Sequence, residues 1–473
     1  MERKNLWKTY TEAERAELQA IAEDYKAFLS AGKTERLCVK NAIVLAEEKG
    51  FFNLEDAIAE GRTLKTGDRF YCQHMGKIML LGIIGEQPLS CGTNILGAHI
   101  DSPRMDIKQN PLYENTDFAY LDTHYYGGVK KYQWVTIPLA IYGVVVKKDG
   151  TVVDIAIGDC DEDPVFTVTD LLIHLSAAQM KKEAAVVIEG EALDILIGSE
   201  PAKPAYDQGE GQEDPEKVKE TVKANILNIL KEKYDIEEED FLSAELEVVP
   251  AGKARDLGFD RSMILGYGHD DRVCAYTSLR AILDAETPKR TALCLLTDKE
   301  EIGSVGATGM ESRFFEDRIA EIMALTGETG DLALRRALRN SCVLSSDVSA
   351  GFDPTYANAF ETKNAAYLGR GICFNKFTGA RGKSGSNDAN AEYVGKLRRI
   401  MDDGKVGFQT AELGKVDEGG GGTIAYILAN YGMNVIDSGV AVLCMHSPWE
   451  VASKADIYEA YKCYKVFMKD MEM

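Results

Sequence analysis

The chain has 473 residues, of which 54 are basic and 76 acidic, for a formal net charge of −22. That length accommodates two or three domains, and a composition of 45% hydrophobic and 27% charged residues excludes wholesale disorder. The acidic balance excludes nucleic acid or an anionic membrane surface as the main partner, because phosphate groups need a dense Lys/Arg face. It leaves the charge of a small substrate open.

The segment Met1–Trp7 is polar and lacks the apolar core of a signal peptide. Residues 11–48 read as two helices, opened by the capping-box pattern Thr11-Glu-Ala-Glu14. Buried strands are expected at Lys77–Ile84, Asn94–Ile100, Ala292–Thr297, Cys342–Ser345 and Gly439–Met445, with helices at Arg272–Asp284 and Asp388–Met401. The alternation predicts an α/β fold, an α/β/α sandwich with a mainly parallel central sheet. Residues 105–200 are instead rich in β-branched and aromatic residues with turn signals, which predicts a mainly β unit. An exposed loop at 201–217, a helix at Val218–Lys233 and an acidic patch at Glu237–Asp240 follow, and the α/β pattern resumes near Ser262. The expected organisation is one α/β domain, 1–104 and 256–473, interrupted by an inserted domain, 105–255. Apolar runs such as Ile137–Val146 fall short of the roughly 20 residues that span a bilayer. Ten cysteines without a CxxC pair read as free thiols in a reducing compartment, so the expected location is cytoplasmic.

Five segments deliver histidine or carboxylate just past an apolar run: His99 and Asp101, Asp270 with Asp271, Glu300 with Glu301, Asp347, and His446. In open α/β sheets, ligand sites form beyond the carboxyl ends of strands. Asp101 lies two residues from His99, on the same face of a strand, where a carboxylate can orient a ligating imidazole. Two histidines with several carboxylates suit a divalent metal such as Zn²⁺, and their number exceeds what one four-coordinate ion requires. Adjacent Glu300 and Glu301 point in different directions from a turning segment. One can ligate metal while the other accepts a proton from an attacking water, as a two-metal hydrolase needs.

The motifs Gly97-Ala-His-Ile-Asp-Ser-Pro-Arg104, Asp270-Asp-Arg272, Asp298-Lys-Glu-Glu-Ile-Gly-Ser304, Ser345-Ser-Asp347 and Met445-His-Ser447 together resemble the M18 family of metallo-aminopeptidases, which includes aspartyl aminopeptidase. Their order and spacing match along nearly the whole chain. The resemblance implies a di-zinc exopeptidase fold in which His99, Asp270 and Asp347 bind one metal and His446, Asp270 and Glu301 the other. The two divalent ions would be Zn²⁺, with Mn²⁺ or Co²⁺ as alternatives. Glu300 would be the general base and Asp101 would orient His99. It also implies peptide substrates with a free N-terminus, an inserted dimerisation domain, and dimers assembled into a tetrahedral dodecamer. In the family a histidine of the insertion reaches a neighbour's site, which nominates His174 in Thr169-Asp-Leu-Leu-Ile-His-Leu175.

The basic loop Lys376–Ser386 offers Lys376, Arg381 and Lys383 for substrate contacts. It is not a phosphate loop, since Phe377 stands where that pattern needs glycine. Aspartyl aminopeptidases carry an Asp-Arg pair after a Tyr-Gly-Gly-Gly segment. Here Tyr125–Pro138 lacks the pair, which leaves a preference for acidic N-terminal residues open. The expected activity is removal of N-terminal residues by a two-metal centre. The rival readings are another amide hydrolase, such as a deacylase, and a non-catalytic metal-binding scaffold on the same fold.

Overall fold

The computed structural model describes residues 4–202 and 220–473, so positions 203–217 of the expected loop and the start of the helix expected from Val218 lie outside the described residues. The chain divides into two compact units. One comprises Met1–Ser102, Ala254–Met445 and Trp449–Met473; the other comprises Pro103–Lys253 with His446–Pro448.

The first unit is built on a nine-stranded sheet: β1 (Phe52–Asn53), β2 (Arg69–His74), β3 (Ile78–Ile83), β4 (Asn94–His99), β5 (Ala292–Thr297), β6 (Cys342–Ser345), β7 (Ile372–Asn375), β8 (Phe408–Thr410) and β9 (Asn434–Gly439). The spatial order is β1-β2-β3-β5-β4-β6-β9-β7-β8. The four central strands β5, β4, β6 and β9 run parallel, whereas β3 and β7 run antiparallel to their central neighbours. Every residue of β3, β4, β5 and β6 is buried, as strands covered on both faces require. Successive residues of β4 enter different cores. Leu96 and Ala98 pack with helices α1 (Glu12–Ala31), α2 (Glu35–Glu48), α3 (His269–Leu283), α4 (Ala391–Asp403) and α5 (Lys454–Asp470). Ile95 packs with the helices Phe314–Leu325, Asp331–Arg339 and Ala425–Ala429 on the other face. This is the α/β/α sandwich that the alternating pattern predicts. The Thr11 capping box forms, with the Glu14 amide on the Thr11 hydroxyl and the Thr11 amide on the Glu14 carboxylate.

One expected strand is displaced. The central strand is Asn434–Gly439, not Gly439–Met445, and Ala441–Leu443 instead joins a separate five-stranded sheet with Arg255–Leu257, Met263–Gly266, Ser349–Ala350 and Glu450–Ser453. Asn434-Val-Ile-Asp-Ser-Gly439 does not look like a buried strand because it carries polar residues. They are accommodated by partners: Asp437 accepts from the Ser345 hydroxyl (3.3 Å) and the Ser438 carbonyl from the Tyr464 hydroxyl (3.1 Å).

The second unit is a seven-stranded sheet in which every pairing is antiparallel, in the order Val152–Ile157, Leu139–Val146, Ala244–Pro250, Arg104–Asn115, Phe118–Tyr126, Ile195–Gly198, Thr167–Val168. It carries the helix Thr221–Tyr234. All ten cysteines are free thiols. Among the described residues, no helix is long and apolar enough to cross a membrane.

Candidate metal centre

Three parallel central strands end at one edge of the sheet. Thr297 of β5 lies opposite His99 of β4, and Ser345 of β6 opposite Gly97, so the segments that follow issue side by side. After β5, Lys299 takes a left-handed φ of 66° and turns the chain into a short 3-10 helix, Glu300–Ile302. Asp101, fully buried, accepts the backbone N–H of Glu300 (3.2 Å) and of Glu301 (3.1 Å), one on each carboxylate oxygen. It therefore braces the glutamate turn as well as lying beside His99.

Asp270 arrives from a different element, the start of α3, after the small-sheet strand Met263–Gly266. Gly268 precedes it with φ 79°, and a Cβ there would meet Arg272 Nη1 at 2.3 Å, so the turn requires glycine. The residue that caps this helix, Gly268, has no side chain to offer. Fully buried Arg272 donates to the carbonyls of Ile100 (3.2 Å) and Lys33 (3.1 Å), which ties α3 to the turn after His99.

His99 stands at the focus. Its Nδ1 lies 3.1 Å from the Asp101 carbonyl and 3.2 Å from Asp101 Oδ1. Both are acceptors, so Nδ1 carries a hydrogen, and in the neutral ring that binds a metal Nε2 carries the lone pair. Nε2 lies 3.2 Å from Asp270 Oδ1 and 3.9 Å from both Glu300 Oε2 and Asp347 Oδ1, yet it is buried and makes no hydrogen bond. Two sets of donor atoms lie within 4.8 Å of one another: His99 with Asp270 and Glu301, and His99 with Glu300 and Asp347. Burial, then repulsion from Glu300, pushes the Asp347 carboxyl well above the usual range. Burial lowers the His99 imidazole, but the Asp101 and Asp270 carboxylates outweigh it and raise it well above its ordinary value. A buried imidazole nitrogen facing crowded carboxylates, with His99 and Asp347 drawn toward binding protons, is a donor set that a divalent cation can fill, and nitrogen with oxygen donors suits zinc.

His446 belongs to the second unit and is in neither set. Its Nδ1 lies 2.8 Å from the Gly128 carbonyl, which fixes the hydrogen there and leaves Nε2 as the lone-pair nitrogen. His174 lies in an exposed 3-10 turn, Ile173–Leu175, of the second unit. The basic loop follows β7, which runs antiparallel to β9 and whose last residue, Asn375, pairs with Asp437, level with Ser345 at the end of β6. Lys376 and Lys383 both meet Asp388, at 3.6 and 2.9 Å. Arg381 sits in the short helix Ala380–Lys383, and its side chain lies outside what the structure describes.

Residues 28–468 match the model of the family described as Aminopeptidase I zinc metalloprotease (M18). The chain belongs to the M18 family. As an M18 chain it is a metallo-aminopeptidase of a zinc-dependent family. It is 59% identical over 469 residues to the probable M18 family aminopeptidase 1 of Clostridium acetobutylicum, covering 99% of this chain and 98% of that one. The crystal structure of the M18 aminopeptidase from Thermotoga maritima superposes with a TM-score of 0.92 at 43% identity, covering all of both chains. The S. cerevesiae mApe1 dodecamer, 18% identical with a TM-score of 0.75 over 96% of this chain and 97% of that one, shares the M18 fold.

Two residues at the M18 site have no assigned role in the sequence reading: Ser102 and Glu450, which hold the backbone of Asp270. Ser102 lies inside a motif quoted for its neighbours. Glu450 lies four residues past His446 and stands out only as the charged first residue of the buried strand Glu450–Ser453.

Proposed function

We propose that this M18 protein removes the N-terminal residue of peptides with a free α-amino group, using a two-metal centre. The observation that carries the reading is the meeting of His99 with Asp270, Glu301, Glu300 and Asp347 at one sheet edge. His99, Asp270 and Asp347 would hold one zinc, and Asp270, Glu301 and His446 the other, the last by the family resemblance. When bound, two dications would acidify a water and polarise the scissile carbonyl. Glu300 takes the proton of the attacking water and returns it to the leaving amine. Asp101 keeps the His99 hydrogen on Nδ1 and fixes the backbone from which Glu300 and Glu301 project.

A preference for acidic N-terminal residues, left open by the missing Asp-Arg pair, would draw on the basic loop, whose Lys376 and Lys383 share Asp388. Aminoacyl-anilides with acidic, basic and apolar first residues read that preference directly. The protein is also read as a cytoplasmic homo-oligomer, consistent with its ten free thiols. Leu171, Leu172, Ile173, Leu175 and Met180 of the second unit are 47–71% exposed around His174. An apolar stretch of this kind marks an interaction surface, and it supports self-association into the dodecamer reported for the yeast protein.

Paired free and N-acetylated aminoacyl substrates test the activity. The zinc-loaded protein should cleave only the free amines and the chelated protein neither. Equal cleavage of the N-acetylated series would make it a deacylase-type amide hydrolase.

A further inference from the structure

Asp270 has an unusual backbone problem. It lies inside the first turn of α3 but with non-helical angles (φ −80°, ψ 106°), and Asp271 follows at φ −115°, ψ 29°. Backbone polar groups at a buried position outside the helical ladder must find other partners. Both groups of Asp270 do. Its N–H donates to Glu450 Oε2 at 3.0 Å, and its carbonyl accepts from the Ser102 hydroxyl at 2.6 Å. Glu450 is 1% exposed and Ser102 fully buried. The register of the small sheet sets Glu450 opposite Gly266, four residues before Asp270, so the carboxylate is delivered by strand pairing and not by a loop.

The residue before Asp270 is held as well. His269 Nε2 lies 3.2 Å from the Ile264 carbonyl, which can only accept, so Nε2 donates. Nδ1 then accepts from the Tyr25 hydroxyl at 2.7 Å. Burial lowers the His269 pKa to about 4, in keeping with this neutral ring.

We infer that Glu450, with Ser102, is a positioning residue that clamps the peptide groups of Asp270 and so aims its carboxylate for metal binding. The inference rests on the reading of Asp270 as a metal ligand. It gives Glu450 a role distinct from catalysis: it touches neither substrate nor the reacting atoms, and its effect is exerted through the Asp270 backbone. The part needed is a hydrogen-bond acceptor, not a negative charge, so a glutamine in the same place should serve.

The test measures zinc content and zinc affinity, by competition with a chromophoric chelator, on the full chain carrying Glu450→Ala, Glu450→Gln, Ser102→Ala or Asp270→Asn, with thermal unfolding recorded for each. Glu450→Ala should weaken zinc binding by about 10–100-fold, the usual effect of removing a residue that orients a ligand. Ser102→Ala should produce a smaller loss in the same direction, and Glu450→Gln should recover most of the affinity lost in Glu450→Ala. Should Glu450→Ala fail to fold, the Ser102→Ala and Glu450→Gln pair still decides. Wild-type affinity in folded Glu450→Ala or Ser102→Ala overturns the clamp, as does a loss in Glu450→Gln as deep as in Glu450→Ala. Asp270→Asn separates this from the underlying reading. If it binds zinc as wild type does, the ligand assignment is wrong; if it loses zinc while Glu450→Ala does not, only the clamp is wrong.

Discussion

The carboxyl edge of the central sheet and the loop Lys376–Ser386 both concentrate charge, and they resolve it in opposite ways. At the edge, His99 Nε2 faces three carboxylates within 3.2–3.9 Å, and burial with repulsion from Glu300 forces the Asp347 carboxyl upward. In the loop, Lys376 and Lys383 share Asp388, all three about half exposed, and Lys383 holds the Asp388 carboxyl below its usual range. Compensated charge on a solvated loop needs nothing more and contributes little. Crowded buried carboxylates must take up protons or a cation. The difference separates a metal centre from a polar surface, although both regions look equally charged as sequence.

The largest effect expected from this contrast is at His99. His99→Ala should abolish peptidase activity and lower zinc content, and chelation of the wild type should do the same reversibly, with Zn²⁺ restoring turnover. Glu300→Gln comes next. It should lower kcat by roughly 10²–10⁴-fold, the range for a positioned general base, while zinc content stays at the wild-type level. Full activity in folded, zinc-loaded Glu300→Gln would remove the assigned base.

Part of this contrast is legible without a structure. His99, Glu300 and Asp347 each follow a continuous apolar run, and burial on both faces of a parallel sheet is what such runs record. The resemblance to a metallo-aminopeptidase family rests on these same segments. What the pattern does not carry is direction and partnership. The reversal of β7 relative to β9 depends on which strands pair and not on their hydrophobicity. The strand Asn434–Gly439 escaped a reading by apolarity because Asp437 and Ser438 are buried within it. Glu450 and Ser102 act through backbone hydrogen bonds, which leave no signature in residue type.

A smaller effect sharpens the comparison from inside the sheet. Asp437 is buried without joining the donor sets at the edge, and burial pushes its carboxyl up to about 7. The native state therefore binds more protons than the unfolded chain between its ordinary value near 4 and pH 7, so this group's contribution to stability falls as pH rises through that window. Asp437→Asn should flatten the decline in Tm between about pH 4 and pH 7 and leave zinc content unchanged. An unaltered pH profile would show that Asp437 does not hold the proton. The smallest effect belongs to the loop. Asp388→Ala should change stability by no more than about 0.5 kcal/mol and kcat/KM by about twofold at most. A tenfold loss of kcat/KM on an acidic substrate would instead bring the basic loop into the site.

The central claim is that one sheet edge holds a two-metal centre built around Asp270. Metal analysis of the zinc-reconstituted chain beside Asp270→Asn tests it most directly. The account predicts about two zinc ions per chain in the wild type and a loss at both positions in Asp270→Asn, with activity lost in parallel. Two retained ions in Asp270→Asn, or full peptidase activity in a chain stripped of metal, would contradict it.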